Sequence, residues 1–245
     1  MTQDKKLIVA AIPCYNVAQS IAEIIRRTRR HVDFVTAVDD ASTDDTIWLM
    51  WAARAQVVQH FIHLGPGPTA RDCLQAGRNA GADVLVVLDG DGQHDPDEIP
   101  GVIDPILAGE ADVVIGSRFM GRYNDAPPHR RFGSRVITFL YNLGASTKTT
   151  DVQSRFRAYN QRALQALHIT EPGFGFSVET LVQARSAGLR IREVAISCAY
   201  HEQNHPDPVL HGLGVALTIV KHRLIAAFAT LTGRAVPVLN QKVAV

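Results

Sequence analysis

The stretch Val84-Leu85-Val86-Val87-Leu88-Asp89-Gly90-Asp91-Gly92 decides the fold class of this chain. Its first five residues are apolar and rich in valine, which predicts a central strand buried on both faces of a sheet. Two carboxylates, Asp89 and Asp91, follow the strand, and the neighbouring glycines allow a tight turn. Ligands bind at the carboxyl ends of parallel strands, so this acidic turn is the first candidate for a functional site.

Strand and helix patterns alternate on both sides of this stretch. The sequence predicts strands over residues 7–12, 34–38, 57–62, 113–115 and 189–197. It predicts helices over residues 18–30, 44–54, 69–80, 97–107, 136–143 and 176–187, and a loop over 123–130. The alternation indicates βαβ units, and therefore an α/β fold with a mostly parallel central sheet flanked by helices. We expect one domain over residues 1–205 and a tail over 206–245 that contains an amphipathic helix at 209–231.

The bulk composition excludes several classes of protein. Charged residues make up 20% of the 245 residues and apolar ones 46%, which is ordinary for a globular domain and unlike a disordered chain. The formal net charge of +1 gives no sign of nucleic-acid binding. Three cysteines lie far apart without metal-ligand spacing, which indicates reduced thiols in a cytoplasmic protein. The first residues lack the apolar core of a signal peptide, and every run of 18 residues carries a charge, so we expect a soluble or surface-bound protein.

Two strand ends carry paired carboxylates with a chemical use. Asp89 and Asp91 are spaced to share a hard divalent cation, which would bridge a diphosphate and neutralise a leaving group. The alternative is a surface turn rich in Asp and Gly. Asp39 and Asp40 close the second predicted strand, where an acidic residue can contact a ribose or a base. The alternative for these two is capping of the next helix, and we expect binding for Asp39 and a mixed role for Asp40.

Several segments together resemble the ordered motifs of family 2 glycosyltransferases. They are residues 12–16 (Ile-Pro-Cys-Tyr-Asn), 38–46 (Val-Asp-Asp-Ala-Ser-Thr-Asp-Asp-Thr), 89–93 (Asp-Gly-Asp-Gly-Gln) and 116–118 (Gly-Ser-Arg). Residues 151–157 (Asp-Val-Gln-Ser-Arg-Phe-Arg), 176–179 and 193–196 are similar to the dolichol-phosphate mannosyltransferase branch. The resemblance covers roughly residues 7–200. It implies a GT-A fold, an inverting reaction, a GDP- or UDP-sugar donor and a Mg²⁺ or Mn²⁺ cofactor.

The resemblance also implies roles for individual residues. Those expected to bind the nucleotide sugar are Pro13, Tyr15, Asn16, Asp39, Asp40, Asp89 and Asp91. Those expected to hold the metal and diphosphate are Asp89, Asp91 and Gln93. Those expected to bind the acceptor phosphate are Arg118, Arg131 and Ser134, and the planar fork of arginine suits that task. Asp91, Arg118 and Asp151 are the candidate catalytic residues.

The branch resemblance makes a polyprenyl or dolichyl phosphate the expected acceptor and GDP-mannose the first donor, with UDP-sugars as alternatives. A phosphate oxygen is already ionised near neutral pH, so such a reaction requires no general base. A hydroxyl acceptor would require one, and Asp151 is the first candidate and Glu179 the second. Either carboxylate could instead hold a structural ion pair with an arginine such as Arg155. A nucleotidyltransferase and a catalytically degenerate nucleotide-binding scaffold are the remaining alternatives.

The chain departs from the family pattern at three places. Val17 stands where the family usually has Glu, residues 63–68 (His-Leu-Gly-Pro-Gly-Pro) replace Asn-x-Gly-Lys-Gly, and Arg155 replaces Gly. These departures bear on the donor base and the sugar. The tail helix, with Lys221 and Arg223, is apolar enough to lie in a bilayer interface, so we expect peripheral association with the cytoplasmic face of a membrane. The alternative is packing against the domain or a partner subunit, such as a second copy of the chain.

Overall fold

The structure is a computed structural model that describes residues 5–121, 128–143, 145, 148–199, 215, 217, 218 and 221, with only the backbone described at 128–130. The described residues form one seven-stranded sheet in the order β3-β2-β1-β4-β6-β5-β7. Its strands are β1 (Ile8–Cys14), β2 (Phe34–Asp39), β3 (Gln56–Gln59), β4 (Val84–Val87), β5 (Val113–Ser117), β6 (Arg157–Asn160) and β7 (Ile191–Ala195). Every neighbouring pair is parallel except the two that involve β6. The predicted α/β fold with a mostly parallel sheet is confirmed.

Helices cover both faces of the sheet and bury two apolar layers. They are α1 (Ile21–Thr28), α2 (Thr46–Ala52), α3 (Pro66–Asn79), α4 (Ile99–Leu107), α5 (Pro128–Asn142), α6 (Gln161–Ala166) and α7 (Phe176–Ser186). One layer contains buried side chains of α1, α2 and α4, such as Ile25, Met50 and Val102. The other contains side chains of α3, α5 and α7, such as Leu74 and Leu181. Burial of apolar surface on both faces is what the valine-rich central strands require.

The element bounds differ from the sequence prediction mainly in the second half of the chain. Residues 128–130, predicted as part of a loop, are the first turn of α5. Proline fits that position because the first helical residue needs no N–H partner within the helix. The rest of the predicted loop, residues 123–127, lies outside the described residues. The short β6 and α6 were not predicted.

A close backbone contact fixes the loop before α7 against the start of α3. The N–H of Gly67 donates to the carbonyl oxygen of Pro172 at 3.0 Å. A Cβ atom at position 67 would lie 1.9 Å from the carbonyl oxygen of Glu171, so glycine is required there. Gly67, the second glycine of the altered motif at residues 63–68, therefore has a packing role.

Most of the predicted tail helix lies outside the described residues, and the division between a domain at 1–205 and a tail at 206–245 stays a prediction. Residues 215, 217, 218 and 221 are helical. Val215 and Thr218 are buried, and the Lys221 ammonium lies 2.5 Å from Glu171 Oε1. These residues therefore pack against the domain. Among the described residues, no helix is both long and apolar enough to cross a membrane.

Candidate active site

The polar ends of β1, β2 and β4 meet at one edge of the sheet, as predicted. Cys14 at the end of β1 pairs with Asp39 at the end of β2. The Ser20 hydroxyl donates to the Gly90 carbonyl oxygen at 2.6 Å, which fastens the acidic turn after β4 to the loop after β1. The carboxylates at positions 39, 40, 89 and 91 thus lie at the ends of β2 and β4, the two strands on either side of β1. This convergence is the framework of the candidate site.

Asp39 has an unsatisfied oxygen in the interior of this edge. The residue is fully buried, and its Oδ2 accepts a hydrogen bond from the backbone N–H of Ser42 at 3.1 Å. Its Oδ1 is buried and accepts no hydrogen bond from any described residue. A buried acceptor without a donor is costly, which is expected where a ligand supplies the donor.

Tyr15 and Asn16 form the loop beside Asp39. Asn16 has φ of 52°, a left-handed conformation that asparagine tolerates. Its Oδ1 accepts from the backbone N–H of Thr43 at 2.8 Å, so Asn16 connects the loops after β1 and β2. Tyr15 is about half exposed, and its ring centroid lies 4.2 Å from that of His63. Pro13, the remaining residue expected at the nucleotide, is half-buried on β1.

The carboxylate of Asp40 is committed to the loop after β3. It accepts from the backbone N–H of Leu64 at 2.9 Å and of Gly65 at 2.8 Å. His60 lies between two carboxylates, with Nδ1 2.7 Å from Asp40 Oδ1 and Nε2 2.8 Å from Asp72 Oδ2. Burial acts to lower the pKa of His60, but the two carboxylates outweigh it and raise that pKa. Burial likewise acts to raise the pKa of Asp40, but its hydrogen bonds outweigh it and keep that pKa low. The structure thus favours a positioning role for Asp40.

Gln93 orients Asp91 in the acidic turn. The backbone N–H of Gln93 donates to Asp91 Oδ1 at 3.0 Å, and its side-chain amide donates to Oδ2 at 3.1 Å. Asp91 is half-buried. Among the described residues, no three His, Cys, Asp or Glu side chains are grouped to hold a metal ion. A carboxylate pair still fits Mg²⁺ or Mn²⁺ when substrate phosphates complete the coordination, which is the usual mode for Mg²⁺.

Asp89 lies between the side chains of Arg155 and His94. Its Oδ2 lies 2.8 Å from Arg155 Nη2 and 3.7 Å from His94 Nδ1. The backbone N–H of Asp89 donates to the same His94 nitrogen at 3.2 Å, so that nitrogen carries no proton. Burial, the main cause, lowers the pKa of His94 to about 4, and the charges of Arg155 and Arg118 act in the same direction. His94 is therefore neutral at physiological pH and acts as an acceptor that fixes the start of the turn.

Arg118 and Asp151 form a bidentate ion pair at the end of β5. Arg118 Nε donates to Asp151 Oδ2 at 2.7 Å and Nη2 donates to Oδ1 at 2.8 Å. The backbone N–H of Arg118 also donates to Oδ2 at 3.2 Å. Asp151 is fully buried. Burial acts to lower the pKa of Arg118, but the charge of Asp151 outweighs it and raises that pKa, so the guanidinium stays charged.

Comparison with known proteins identifies the family. Residues 9–167 match the model of the family described as glycosyl transferase family 2. The chain belongs to this family. The glycosyltransferase resembles a UDP-N-acetylglucosamine–dolichyl-phosphate N-acetylglucosaminyltransferase of Methanococcus voltae, with 29% identity over 219 residues that cover 80% of this chain and 87% of that protein. It also resembles an undecaprenyl-phosphate mannosyltransferase of Micrococcus luteus, with 31% identity over 207 residues that cover 80% and 84% of the two chains.

Solved structures agree on the fold of the glycosyltransferase. A crystal structure of glucosyl-3-phosphoglycerate synthase from Mycobacterium tuberculosis, in complex with Mn²⁺, uridine diphosphate and glucosyl-3-phosphoglycerate, matches with a TM-score of 0.72. The match covers 89% of this chain and 80% of that chain at 21% identity. A second structure of that enzyme, with Mg²⁺ and uridine diphosphate, matches with a TM-score of 0.67 at 22% identity. At this identity the likeness establishes the fold alone, and it confirms the predicted GT-A type.

The expected acceptor-side residues of the glycosyltransferase lie on α5 and at the end of β5. Ser134 on α5 donates from its hydroxyl to Gln153 Oε1 at 2.7 Å, which ties the helix to the segment between Asp151 and Arg155. Arg131 is half-buried one turn earlier on the same helix face. Arg118 is attached to the same segment through its pair with Asp151. The structure thus connects the elements that carry Arg118, Arg131 and Ser134 through residues 151–153.

Glu179, the second candidate base, has a structural set of hydrogen bonds. Its carboxylate accepts from the backbone N–H groups of Thr170 and Glu171 at 3.0 Å each and from the Thr170 hydroxyl at 2.5 Å. It therefore holds the loop before α7. Sequence reasoning missed His94, although its place in the acidic motif was a signal. It named Arg155 as a departure from the family pattern and as a partner for Asp151 or Glu179, whereas the structure pairs it with Asp89.

Proposed function

We propose that this glycosyltransferase moves a hexosyl group from a nucleotide sugar to a polyprenyl phosphate with inversion. An ionised phosphate oxygen would bond to the anomeric carbon as the bond to the donor diphosphate breaks. The observation that carries this proposal is that both candidate bases, Asp151 and Glu179, accept structural hydrogen bonds at both carboxylate oxygens. An acceptor that is already ionised needs neither of them. The names of the two relatives, which act on dolichyl and undecaprenyl phosphate, support the same acceptor class.

The donor side offers a place for the nucleotide. The buried Asp39 Oδ1 would accept a hydrogen bond from a base N–H or a ribose hydroxyl. The rings of Tyr15 and His63, which contact each other with centroids 4.2 Å apart and are partly exposed, would offer a surface for the base to stack on. Asn16 and Asp40 would act by holding the surrounding loops in place. GDP-mannose is the first donor to test, and the relative that uses a UDP-sugar makes UDP-N-acetylglucosamine the second.

A divalent cation, Mg²⁺ or Mn²⁺, would bind at Asp91 with Asp89 and Gln93 beside it. When bound, it would supply positive charge that stabilises the diphosphate leaving group. Gln93 has the task of holding both oxygens of Asp91 in one orientation. The crystal structures of glucosyl-3-phosphoglycerate synthase with Mn²⁺ or Mg²⁺ and uridine diphosphate support this cofactor class.

Arg118, Arg131 and Ser134 would bind the acceptor phosphate. Asp151 fixes the plane of the Arg118 guanidinium through two hydrogen bonds. A fixed guanidinium loses little freedom when it binds phosphate, and catalysis would come from alignment and charge stabilisation. In this role Asp151 is a positioning residue.

The outer face of α5 supports association with a membrane surface. Phe132 and Phe139 are 70% and 63% exposed, and Val136 and Leu143 lie in the same stripe at helical spacing. Arg135 is also exposed on this helix. Ser134 connects α5 to the segment between Asp151 and Arg155 through its hydrogen bond with Gln153. Aromatic rings beside arginines are favourable in a bilayer interface, where the polyprenyl chain of the acceptor would be. We therefore propose that the enzyme acts while bound peripherally to the cytoplasmic face, with α5 in contact.

The test is release of nucleoside diphosphate from GDP- and UDP-sugars with Mg²⁺ or Mn²⁺, with and without polyprenyl phosphate. We expect release that depends on the lipid phosphate and on the cation. Asp91→Asn should reduce cation-dependent turnover at least about 100-fold with an unchanged Tm, because its carboxylate is the proposed metal ligand. Release that ignores the lipid phosphate and follows a hydroxyl acceptor would overturn the proposal. A fully active Asp91→Asn enzyme would refute the metal assignment.

A further inference from the structure

Arg155 occupies a position at the acidic turn that the proposed mechanism does not use. The antiparallel ladder between β4 and β6 pairs Val84 with Asn160 and Val87 with Arg157. Two residues further along the same register, Arg155 faces Asp89. The contact follows this register, with Arg155 Nη2 2.8 Å from Asp89 Oδ2. The insertion of β6 beside β4 therefore delivers a guanidinium to the carboxyl edge of the sheet.

The guanidinium of Arg155 is anchored at two points. Asp89 holds it through the ion pair, and the ring of Phe174 lies 5.5 Å from its central carbon. The side chain nevertheless remains 30% exposed, whereas that of Asp89 is 8% exposed. A guanidinium carries five N–H donors in a rigid fork, so one carboxylate does not exhaust its capacity. Arg155 is thus a preorganised cation that reaches the surface of the site.

A diphosphate that reaches this edge needs positive charge to offset the carboxylates already there. Asp39, Asp89 and Asp91 place three carboxylates at this edge, and the diphosphate of a nucleotide sugar must approach them. Arg155 offsets the charge of Asp89 directly. The charges of Arg155 and Arg118 both act on the buried ring of His94.

We infer that Arg155 binds a phosphate oxyanion of the substrate beside Asp89, in addition to the residues assigned above. This inference rests on the proposed transfer between two phosphate compounds. The oxyanion belongs either to the donor diphosphate or to the acceptor phosphate, which share this chemistry. The ion pair with Asp89 positions the guanidinium for that contact, and it leaves Asp91 as the more accessible carboxylate for a cation.

The test compares Arg155→Gln and Arg155→Lys with the wild-type enzyme and with Arg162→Gln. Arg162 is the matched control because it also pairs with a buried carboxylate, Asp112 at 3.4 Å, outside the site. The measurements are the Kd of GDP and UDP by calorimetry, with EDTA and with Mg²⁺, the KM of polyprenyl phosphate and the Tm. Loss of a hydrogen bond to a charged group predicts a rise of about 10- to 100-fold in one binding constant for Arg155→Gln. Arg155→Lys keeps the charge and should show a smaller rise.

The arms of the experiment identify the source of the oxyanion. A raised Kd for GDP or UDP with an unchanged KM for polyprenyl phosphate assigns Arg155 to the donor. A raised KM for polyprenyl phosphate with unchanged Kd values assigns it to the acceptor. Both results support the inference, whereas unchanged constants in Arg155→Gln overturn it, whether or not the Tm falls. If Arg155→Gln does not fold, the Arg155→Lys variant decides, because lysine lacks the planar fork of arginine. A folded Arg155→Lys enzyme with the Kd and KM values of the wild type overturns the inference equally. A wild-type enzyme that binds no nucleoside diphosphate would instead refute the proposed function.

Discussion

Substitution of Asp151 separates a positioning role from a role as general base. The carboxylate accepts three hydrogen bonds from Arg118, two from the guanidinium at 2.7 and 2.8 Å and one from the backbone N–H at 3.2 Å. Asp151→Asn keeps the shape of the side chain but removes its charge and turns one acceptor into a donor. That donor would face a guanidinium N–H. We therefore expect the Arg118 side chain to lose its fixed orientation.

The expected magnitudes follow from the burial of the pair. Removing one partner of a buried ion pair costs about 3–5 kcal/mol. Asp151 is fully buried but the Arg118 side chain is 21% exposed, so the lower end, about 3 kcal/mol, applies. For a chain of this size each kcal/mol lowers Tm by about 2–4 °C, which gives a fall of about 6–12 °C. A disordered Arg118 should raise the KM of the acceptor phosphate about 10- to 100-fold.

The assay is calorimetric Tm together with steady-state kinetics across pH. Asp112→Asn is the matched control, because Asp112 is 2% exposed and makes a similar bidentate pair with Arg190 at the other end of β5. Asp112→Asn should also lose stability, although less because Arg190 is 53% exposed, while the KM of the acceptor stays unchanged. A general base contributes about 10²–10⁴-fold to kcat and produces an acidic limb in the pH profile. If Asp151→Asn keeps the KM, loses kcat by such a factor and abolishes that limb, the positioning role is refuted.

Two further predictions concern pH and membranes. Burial alone would lower the pKa of His60, but the carboxylates of Asp40 and Asp72 raise it. The stability that protonated His60 contributes is therefore fully present below about pH 6.5 and is lost as pH rises through the raised pKa. Tm should therefore fall as pH rises above about 6.5 in the wild type and fall less in His60→Gln, and equal slopes would contradict this. Phe132→Glu with Phe139→Glu should weaken sedimentation with anionic vesicles at least about tenfold but spare turnover of a short, water-soluble prenyl phosphate. Trp48→Glu on α2, an equally exposed control at 66%, should leave sedimentation unchanged, and unchanged sedimentation of the α5 variant would exclude that helix as the contact.

The strands β1, β2, β4 and β5 were predictable because they are buried on both faces of the sheet. β4 reads as an uninterrupted apolar run, and the run stops where the carboxylates begin. β6 was missed because it has only four residues and starts with Arg157, which a pattern of hydrophobicity excludes from a core. In the structure that guanidinium is buried and donates to the carbonyl oxygens of Val152, Ser154 and Ser177 at 2.7–2.9 Å. Three backbone carbonyl groups make this burial possible, two from the segment just before β6 and one from α7. A hydrophobicity pattern does not show how the chain folds back to present them.

The candidate site was predictable in its strand ends but not in its pairings. Parallel strands place Asp39 and Asp89 at one edge by topology alone, so the convergence follows from the order of elements. The ion pair of Asp89 with Arg155 depends instead on the antiparallel insertion of β6, which the sequence did not indicate. The saturation of Glu179 by a preceding loop likewise depends on how that loop folds back. Pairings of this kind are visible only in the folded structure, because the two partners can lie far apart in the sequence.

Hydrogen-bond partners divide the carboxylates of this edge into two groups with different expected functions. Asp40 and Asp151 each accept hydrogen bonds at both oxygens from the loops or arginine they hold, and their removal should disturb geometry before chemistry. Asp39 retains a buried oxygen with no donor among the described residues. Asp91 accepts hydrogen bonds at both oxygens from Gln93 within its own turn, but it is half-buried, so its carboxylate stays accessible to a ligand. A substrate N–H or a cation would complete these two. Aspartate side chains at one edge of the sheet therefore have two roles. Asp40 and Asp151 hold the protein in shape, and Asp39 and Asp91 are the expected contacts of the substrate and the cation.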